Sequence, residues 1–224
     1  MKHDFCILGQ SNYAVAVMLD TLSVMYPPNE LTVDIVANIP EAENDSIAYP
    51  FVAPGIASRV LYYTEWQPRS DYAGYFIGSI GKSRRAIAAF FQTKFDLSPT
   101  LFPALIHPSA VCSPTMQAGP GLHVSPLSVV APHTLLGSFV VLNRQISIGH
   151  HTVLGDFVTV NPGVTIAGGC QIESGVTIGA GATVLDKITI GKNSLIGAGS
   201  LVTRSIPEGV VAYGAPAKII RVIT

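Results

Sequence analysis

From Val124 to Val202 the chain places Val, Leu or Ile at every sixth position: Val124, Val130, Leu136, Leu142, Ile148, Leu154, Val160, Ile166, Ile172, Ile178, Val184, Ile190, Ile196 and Val202. These are fourteen consecutive matches, and a period of six belongs to neither a lone helix nor a lone strand. Each hexad predicts a short strand and a turn, with three hexads closing one triangular coil. The aliphatic points into the prism and stacks on its equivalents above and below. Two places earlier, Val140, Ile146, Thr152, Val158, Val164, Cys170 and Val176 are small or β-branched, which suits a narrow interior. Gly follows the aliphatic at 137, 149, 155, 179, 191 and 197, where it is expected to supply unusual φ angles at tight corners. One coil cannot bury its own inner face, so stability comes from stacking several. The fourteen hexads predict between four and five coils of a left-handed parallel β-helix.

The first hundred residues follow other rhythms and predict a small α/β, Rossmann-like domain over 1–100, ahead of a β-helix domain over 101–224. Phe5 to Leu8 reads as a buried strand ending at Gly9, and Asn12 to Met25 has helical spacing stopped by Pro27-Pro28. Leu31 to Val36 alternates as a second strand, and Asn38 to Asn44 is polar turn material. Tyr75 to Ile80 reads as another strand ending at Gly81, after which Ser83 caps a helix to about Phe95. Strand and helix alternate, so the sheet is expected to be parallel, with ligand-binding turns at the carboxyl ends of its strands.

Composition narrows the function. Charged residues make up 12% of the 224 and the net charge is −1, which gives no electrostatic reason to expect nucleic acid or an anionic membrane as a partner. No apolar run reaches the ~18 residues of a membrane span. Cys6, Cys112 and Cys170 are odd in number, far apart and free of any CxxC, and read as reduced thiols of a cytoplasmic protein.

The hexad array, the ending from Gly197 to Pro207, and Gly214-Ala215-Pro216-Ala217-Lys218 resemble the hexapeptide-repeat acyltransferases. With the α/β unit and His107-Pro108-Ser109-Ala110-Val111, the resemblance narrows to bacterial sugar acyltransferases. These include nucleotide-amino-sugar N-acetyltransferases and sialic-acid O-acetyltransferase-like proteins of polysaccharide biosynthesis. The resemblance implies a homotrimer that takes acetyl-CoA or another acyl-CoA as co-substrate between adjacent β-helices, needs no metal, and acylates a small-molecule sugar whose nucleotide the amino-terminal domain grips. The stretch Val141 to Asp156 matches the family's segment around its general base and puts that base at His150. The chemistry asks for such a group, because an attacking amine or hydroxyl loses a proton as it adds to the thioester and imidazole titrates near neutral pH. The family carries Asp or Glu after the His, whereas here His151 follows, and its second His, nine residues on, is replaced by Thr159. Its glycine turn reads Gly9-Gln10-Ser11 here, and Ala37-Asn38 stands where paired acids are expected. Asn143 matches a position near the substrate. Gly168, Ala180 and Ala198 match turns that meet the pantetheine arm, and Lys192, Lys218 and Arg221 face the CoA phosphates in this reading.

Several of these positions also have plainer readings. His150 and His151 suit solvent-facing turns, and the basic residues suit a solvated surface. Gly81-Lys82-Ser83 is not a phosphate loop, because the earlier glycine that motif requires falls on Phe76. It reads either as a strand-turn-helix start that binds phosphate or ribose, aided by Arg84 or Arg85, or as a helix N-cap. His107, His123 and His133 read as turn residues. A zinc carbonic anhydrase of the same fold needs two His five residues apart, a spacing the chain lacks. A trimer that has lost catalysis and serves as scaffold or regulator is the alternative to the acyltransferase.

Overall fold

The computed structural model describes residues 2–38, 54–81 and 83–223. It divides into two compact units, Met1–Leu105 and Ile106–Thr224.

In the first unit, β1 (His3–Leu8), β2 (Leu31–Ala37), β3 (Ala57–Tyr62) and β4 (Gly74–Ile77) form one sheet in the order β3-β2-β1-β4, all parallel. Helix α1 (Asn12–Met25) has the predicted bounds. Its Val15, Met18, Leu19 and Leu22 recur at helical spacing and bury against Phe5, Ile7, Val33 and Ile35 of the sheet. Helix α2 (Ser83–Phe95) turns Ile87, Ala88 and Phe91 inward.

Two strand expectations needed correction. The strand expected to run to Ile80 ends at Ile77, because Gly78 lies against the turn after β1: a β-carbon there would sit 2.5 Å from the Gly9 carbonyl oxygen. Strand β3 was not foreseen. It is an edge strand exposed from Ala57 to Val60, so it lacks the alternation that marks a half-buried strand. Its register sets Arg59 beside Asp34 of β2, which in turn lies beside Cys6 of β1. Asp34 is buried, and its carboxylate accepts from Arg59 Nε at 2.5 Å, Arg59 Nη2 at 3.0 Å and the Tyr72 hydroxyl. Burial alone would raise the Asp34 carboxyl, but those hydrogen bonds and the charges of Arg59 and Arg69 outweigh it and hold it below the usual carboxylate range. Burial and the neighbouring Asp34 push the Cys6 thiol well up.

The second unit is the left-handed β-helix. Among the described residues, seventeen two-residue strands run from Leu105–Ile106 to Leu201–Val202, and the first fourteen each pair in parallel with the strand eighteen residues on. At three strands per coil they make nearly six coils, more than the four to five expected, because Ile106, Cys112 and Ala118 continue the period with weaker residues. All fourteen hexad aliphatics are interior, none more than 4% exposed, and the residues two places earlier share that core. A terminal hairpin, Val210–Gly214 with Ala217–Val222, adds two strands beside Leu195–Ile196.

The corner glycines have a different job from the one expected. Those directly after the aliphatic do not have positive φ. They are glycine because the next coil's backbone runs against them: a β-carbon on Gly149 would lie 2.5 Å from the Ala167 carbonyl carbon, and one on Gly179 2.4 Å from the Ala198 nitrogen. Positive φ falls two residues later, at every sixth position from Gly121 to Gly199, and eight of these residues are not glycine: Leu127, His133, Phe139, Gln145, His151, Phe157, Lys187 and Asn193.

Candidate functional site

The corner after strand Ser147–Ile148 carries two histidines. Gly149 lets the chain pass close over the next coil, His150 follows, and His151 takes the left-handed conformation with φ 56°. Both side chains are exposed, and their Nδ1 atoms face each other at 3.1 Å. The eighteen-residue register puts Gly168 one coil below His150 and Asp186 one coil below that. A β-carbon on Gly168 would be 2.8 Å from His150 Cε1 and 2.9 Å from Nε2, so the imidazole lies in the space that this glycine leaves. The Gly168 N–H donates to Asp186 Oδ1 at 3.2 Å, and the Gly169 N–H donates to the His150 carbonyl at 2.8 Å. His133 sits one coil before His151 with φ 59°, its ring centroid 4.9 Å from that of His151 and tilted by 41°. Sequence reasoning assigned no chemistry to His133 and did not single out Asp186. The signal for both was a separation of three hexads from His151 and Gly168.

The predicted co-substrate positions are spread around the prism. Gly168 shares the histidine corner. Ala180 and Ala198 stack one coil apart at the corner before the Ser147–Ile148 column, and both are exposed. Lys192 is at the third corner, where its backbone N–H donates to Glu173 Oε2 at 2.9 Å, and Lys218 and Arg221 are exposed on the terminal hairpin. Asn143 is buried to 7% exposure at the start of the Ala180 corner, across one strand from His150.

In the first unit, Gly9-Gln10-Ser11, Asn38, Gly81 and Ser83 all fall at or just beyond the carboxyl ends of β1, β2 and β4. Ser11 precedes α1 without a side-chain cap, and its N–H donates to the Gly78 carbonyl at 2.9 Å. Ser83 is not the cap expected of it. It is the first helical residue, and its hydroxyl turns back to the Ile80 carbonyl at 3.0 Å and to the buried Ser79 hydroxyl at 2.6 Å. Lys82 lies outside the described residues. Arg84, one of the two arginines offered as an aid to phosphate or ribose binding, is 1% exposed, and burial pushes its guanidinium down to about 10. Arg85 is the exposed member of that pair.

The family profile described as bacterial transferase hexapeptide (six repeats) matches residues 151–186 and 169–204. The match covers the part of the β-helix from 151 to 204. No curated protein matches the chain by sequence. Among solved structures, a His-to-Asn variant of perosamine N-acetyltransferase from Caulobacter crescentus, in complex with CoA and GDP-perosamine, is similar with a TM-score of 0.76 and 23% identity, over 99% of this chain and 98% of that one. The acetyltransferase domain of PglB from Neisseria gonorrhoeae, in complex with acetyl coenzyme A, gives a TM-score of 0.76 at 22% identity over 98% of this chain and all of that one. WeeI from Acinetobacter baumannii gives 0.70 at 21% identity over 98% and 100%. The chain thus shares the fold of these structures, α/β unit included. Among its described residues no helix is long and apolar enough to cross a membrane, and no group of three or more His, Cys, Asp or Glu is arranged to hold a metal.

Proposed function

We propose that the chain is an acyl-CoA-dependent acyltransferase, with acetyl as the acyl group of first choice, acting on an amino or hydroxyl group of a nucleotide-activated sugar in the cytoplasm. The observation that carries the reading is the exposed imidazole of His150 pinned over Gly168 on a hexapeptide-repeat helix. Support comes from solved structures of the same fold, one in complex with CoA and GDP-perosamine and one with acetyl coenzyme A. In this reading the acceptor nitrogen or oxygen attacks the thioester carbonyl as its proton passes to His150 Nε2. Collapse of the tetrahedral adduct breaks the carbon–sulfur bond, and the departing sulfur takes up the proton. No acyl-enzyme forms, so no cysteine is needed, and Cys170 stays in the helix interior.

A homotrimer is part of the proposal. On a single chain His150 and Gly168 sit at one corner and Ala180, Ala198 and Asn143 at another. Apposed β-helices would line one groove with both sets, the pantetheine arm running past Gly168, Ala180 and Ala198 toward Lys192, Lys218 and Arg221. The sugar nucleotide belongs in this reading to the carboxyl edge of the parallel sheet, at Gly9, Gln10, Ser11, Asn38, Gly81, Lys82 and Ser83. There, backbone N–H groups and helix starts suit phosphate.

The test is thiol release from acetyl-CoA with a panel of nucleotide-linked amino sugars, using the chain and its His150→Ala variant. Turnover that falls by on the order of a thousandfold in the variant supports the reading. No thiol release with any acceptor, while a related acetyltransferase works in the same assay, overturns it and favours the scaffold alternative.

A further inference from the structure

We propose that each active site takes Arg144 of the partner subunit, set opposite His150, and that this guanidinium binds an anionic oxygen of the acceptor, in a phosphate or a sugar carboxylate. The groove between copies and the acceptor both belong to the acyl-transfer reading, on which this rests.

The prism has three faces, one for each column of paired strands. On the column from Val111–Cys112 to Leu201–Val202 the outward residues are Val111, Val129, Ser147, Thr165, Thr183 and Leu201. Neither they nor the residues two places on carry a charge. Val111 and Val129, side by side, are 65% and 46% exposed. Of the other two faces, one has its outward His123, Val141 and Thr159 buried, and the other carries Glu173. An exposed, uncharged face with valines at one end suits a second copy of this chain better than water. Three copies in a closed ring turn that face to the axis, so the corner before its strands meets, in the neighbour, the corner after them. Those corners carry the site: Arg144 precedes strand Ser147–Ile148 and His150 follows it.

Register sets the two residues level. Arg144 and His150 are six residues apart, a third of the eighteen-residue coil. With about 4.8 Å between paired strands, their heights along the prism differ by about 1.6 Å. Ala180 and Ala198 lie two and three coils further along the Arg144 column, about 10 and 14 Å away. A pantetheine arm laid past those alanines reaches His150 from that side, which leaves Arg144 beyond the thioester, with the acceptor. Backbone bonds hold the corner: the Asn143 carbonyl accepts from Ser128 Oγ at 2.8 Å and the Arg144 carbonyl from the Gly163 N–H at 3.1 Å. The Arg144 side chain points out, exposed. Among the described residues of the two corners Asp186 is the one acid, two coils beyond His150 and engaged by the Gly168 N–H. The groove is therefore cationic at the height of the reaction, and a guanidinium offers paired donors that match a carboxylate or a phosphate.

The experiment measures acetyl transfer by the full chain to nucleotide-linked amino sugars with and without a carboxylate on the sugar. Arg144→Ala is expected to raise the acceptor KM about tenfold or more, with kcat and the acetyl-CoA KM within about twofold of wild type, and Arg144→Lys to fall between. A penalty shared by every acceptor assigns the phosphate; one confined to carboxylated sugars assigns the carboxylate. Subunit mixing tests the placement. When Arg144→Ala and His150→Ala chains are co-expressed in equal amounts, about a quarter of the junctions join an intact His150 to an intact Arg144. About a quarter of wild-type turnover should then return at the wild-type acceptor KM. A mixture that keeps the Arg144→Ala KM throughout overturns the proposal, and so does an unchanged acceptor KM in Arg144→Ala; either result leaves the acyl-transfer reading standing. A wild type without turnover, beside a working related enzyme, sinks that reading and this proposal with it.

Discussion

The imidazole of His150 occupies the volume that a β-carbon on Gly168 would need, 2.8 Å from Cε1 and 2.9 Å from Nε2, so the two residues are one unit built across two coils. Gly168 does not have a positive φ, and alanine there strains nothing in its own backbone. Gly168→Ala is therefore expected to fold normally and to displace the His150 ring. A base moved by about an ångström costs on the order of a hundredfold in turnover. The check is kcat beside an unchanged melting curve; undiminished turnover would show that the ring does not work from the position seen.

Two kinds of glycine in the β-helix predict two sizes of damage. Gly149→Ala and Gly179→Ala each drive a methyl group into the next coil's backbone and are expected to cost about 3 kcal/mol or more. Gly181→Ala has open space around its β-carbon and bears only the penalty of φ +67°, about 1 kcal/mol. Denaturant midpoints should rank the three in that order.

The same conformational argument runs in reverse at Gln145, an exposed residue at φ 58°. Gln145→Asn places a side chain that tolerates this region and should raise stability by about 0.5 kcal/mol. A lower midpoint would show that the glutamine holds something the corner geometry does not reveal.

In the first unit, Asp34→Ala takes the acceptor from Arg59 and from the buried Tyr72 hydroxyl, and is expected to destabilise that unit by about 2 kcal/mol. The single tryptophan, Trp66, reports it: buried, with its indole N–H donating to the Tyr72 hydroxyl at 3.3 Å, it should lose its native emission at lower denaturant. The sign with pH is fixed by the lowered carboxyl. Stabilisation by Asp34 is complete above the unfolded carboxylate value of about 3.9 and is lost as pH falls through the lower folded one. The variant's stability should therefore fall less steeply in acid than wild type.

The parts legible in the sequence are those where packing acts on every repeat. The interior column admits only small or branched apolar side chains, so the period survives from 124 to 202 without a break, and it faded only where Cys112 and Ala118 sit in the first coils. Helix α1 was equally plain because Val15, Met18, Leu19 and Leu22 must all face the sheet. Strand β3 hid because an exposed edge imposes no alternation. The Asp34 cluster hid because it joins residues 4, 34, 59, 69 and 72, whose spacings mean nothing until β1, β2 and β3 are paired. At the site, the motif singled out His150. The ring of His133 against His151 came only with the eighteen-residue register that turns separation along the chain into contact.

The left-handed corner positions have a consequence for how such a protein changes. Leu, His, Phe, Gln, Lys, Asn and Gly all hold the same backbone shape there, and none of the fourteen interior aliphatics depends on which one is present. The outside of each coil thus takes many residue types, while the inside takes aliphatic ones. A single exchange at a corner meets whatever stands eighteen residues away, and the interior column stays as it is.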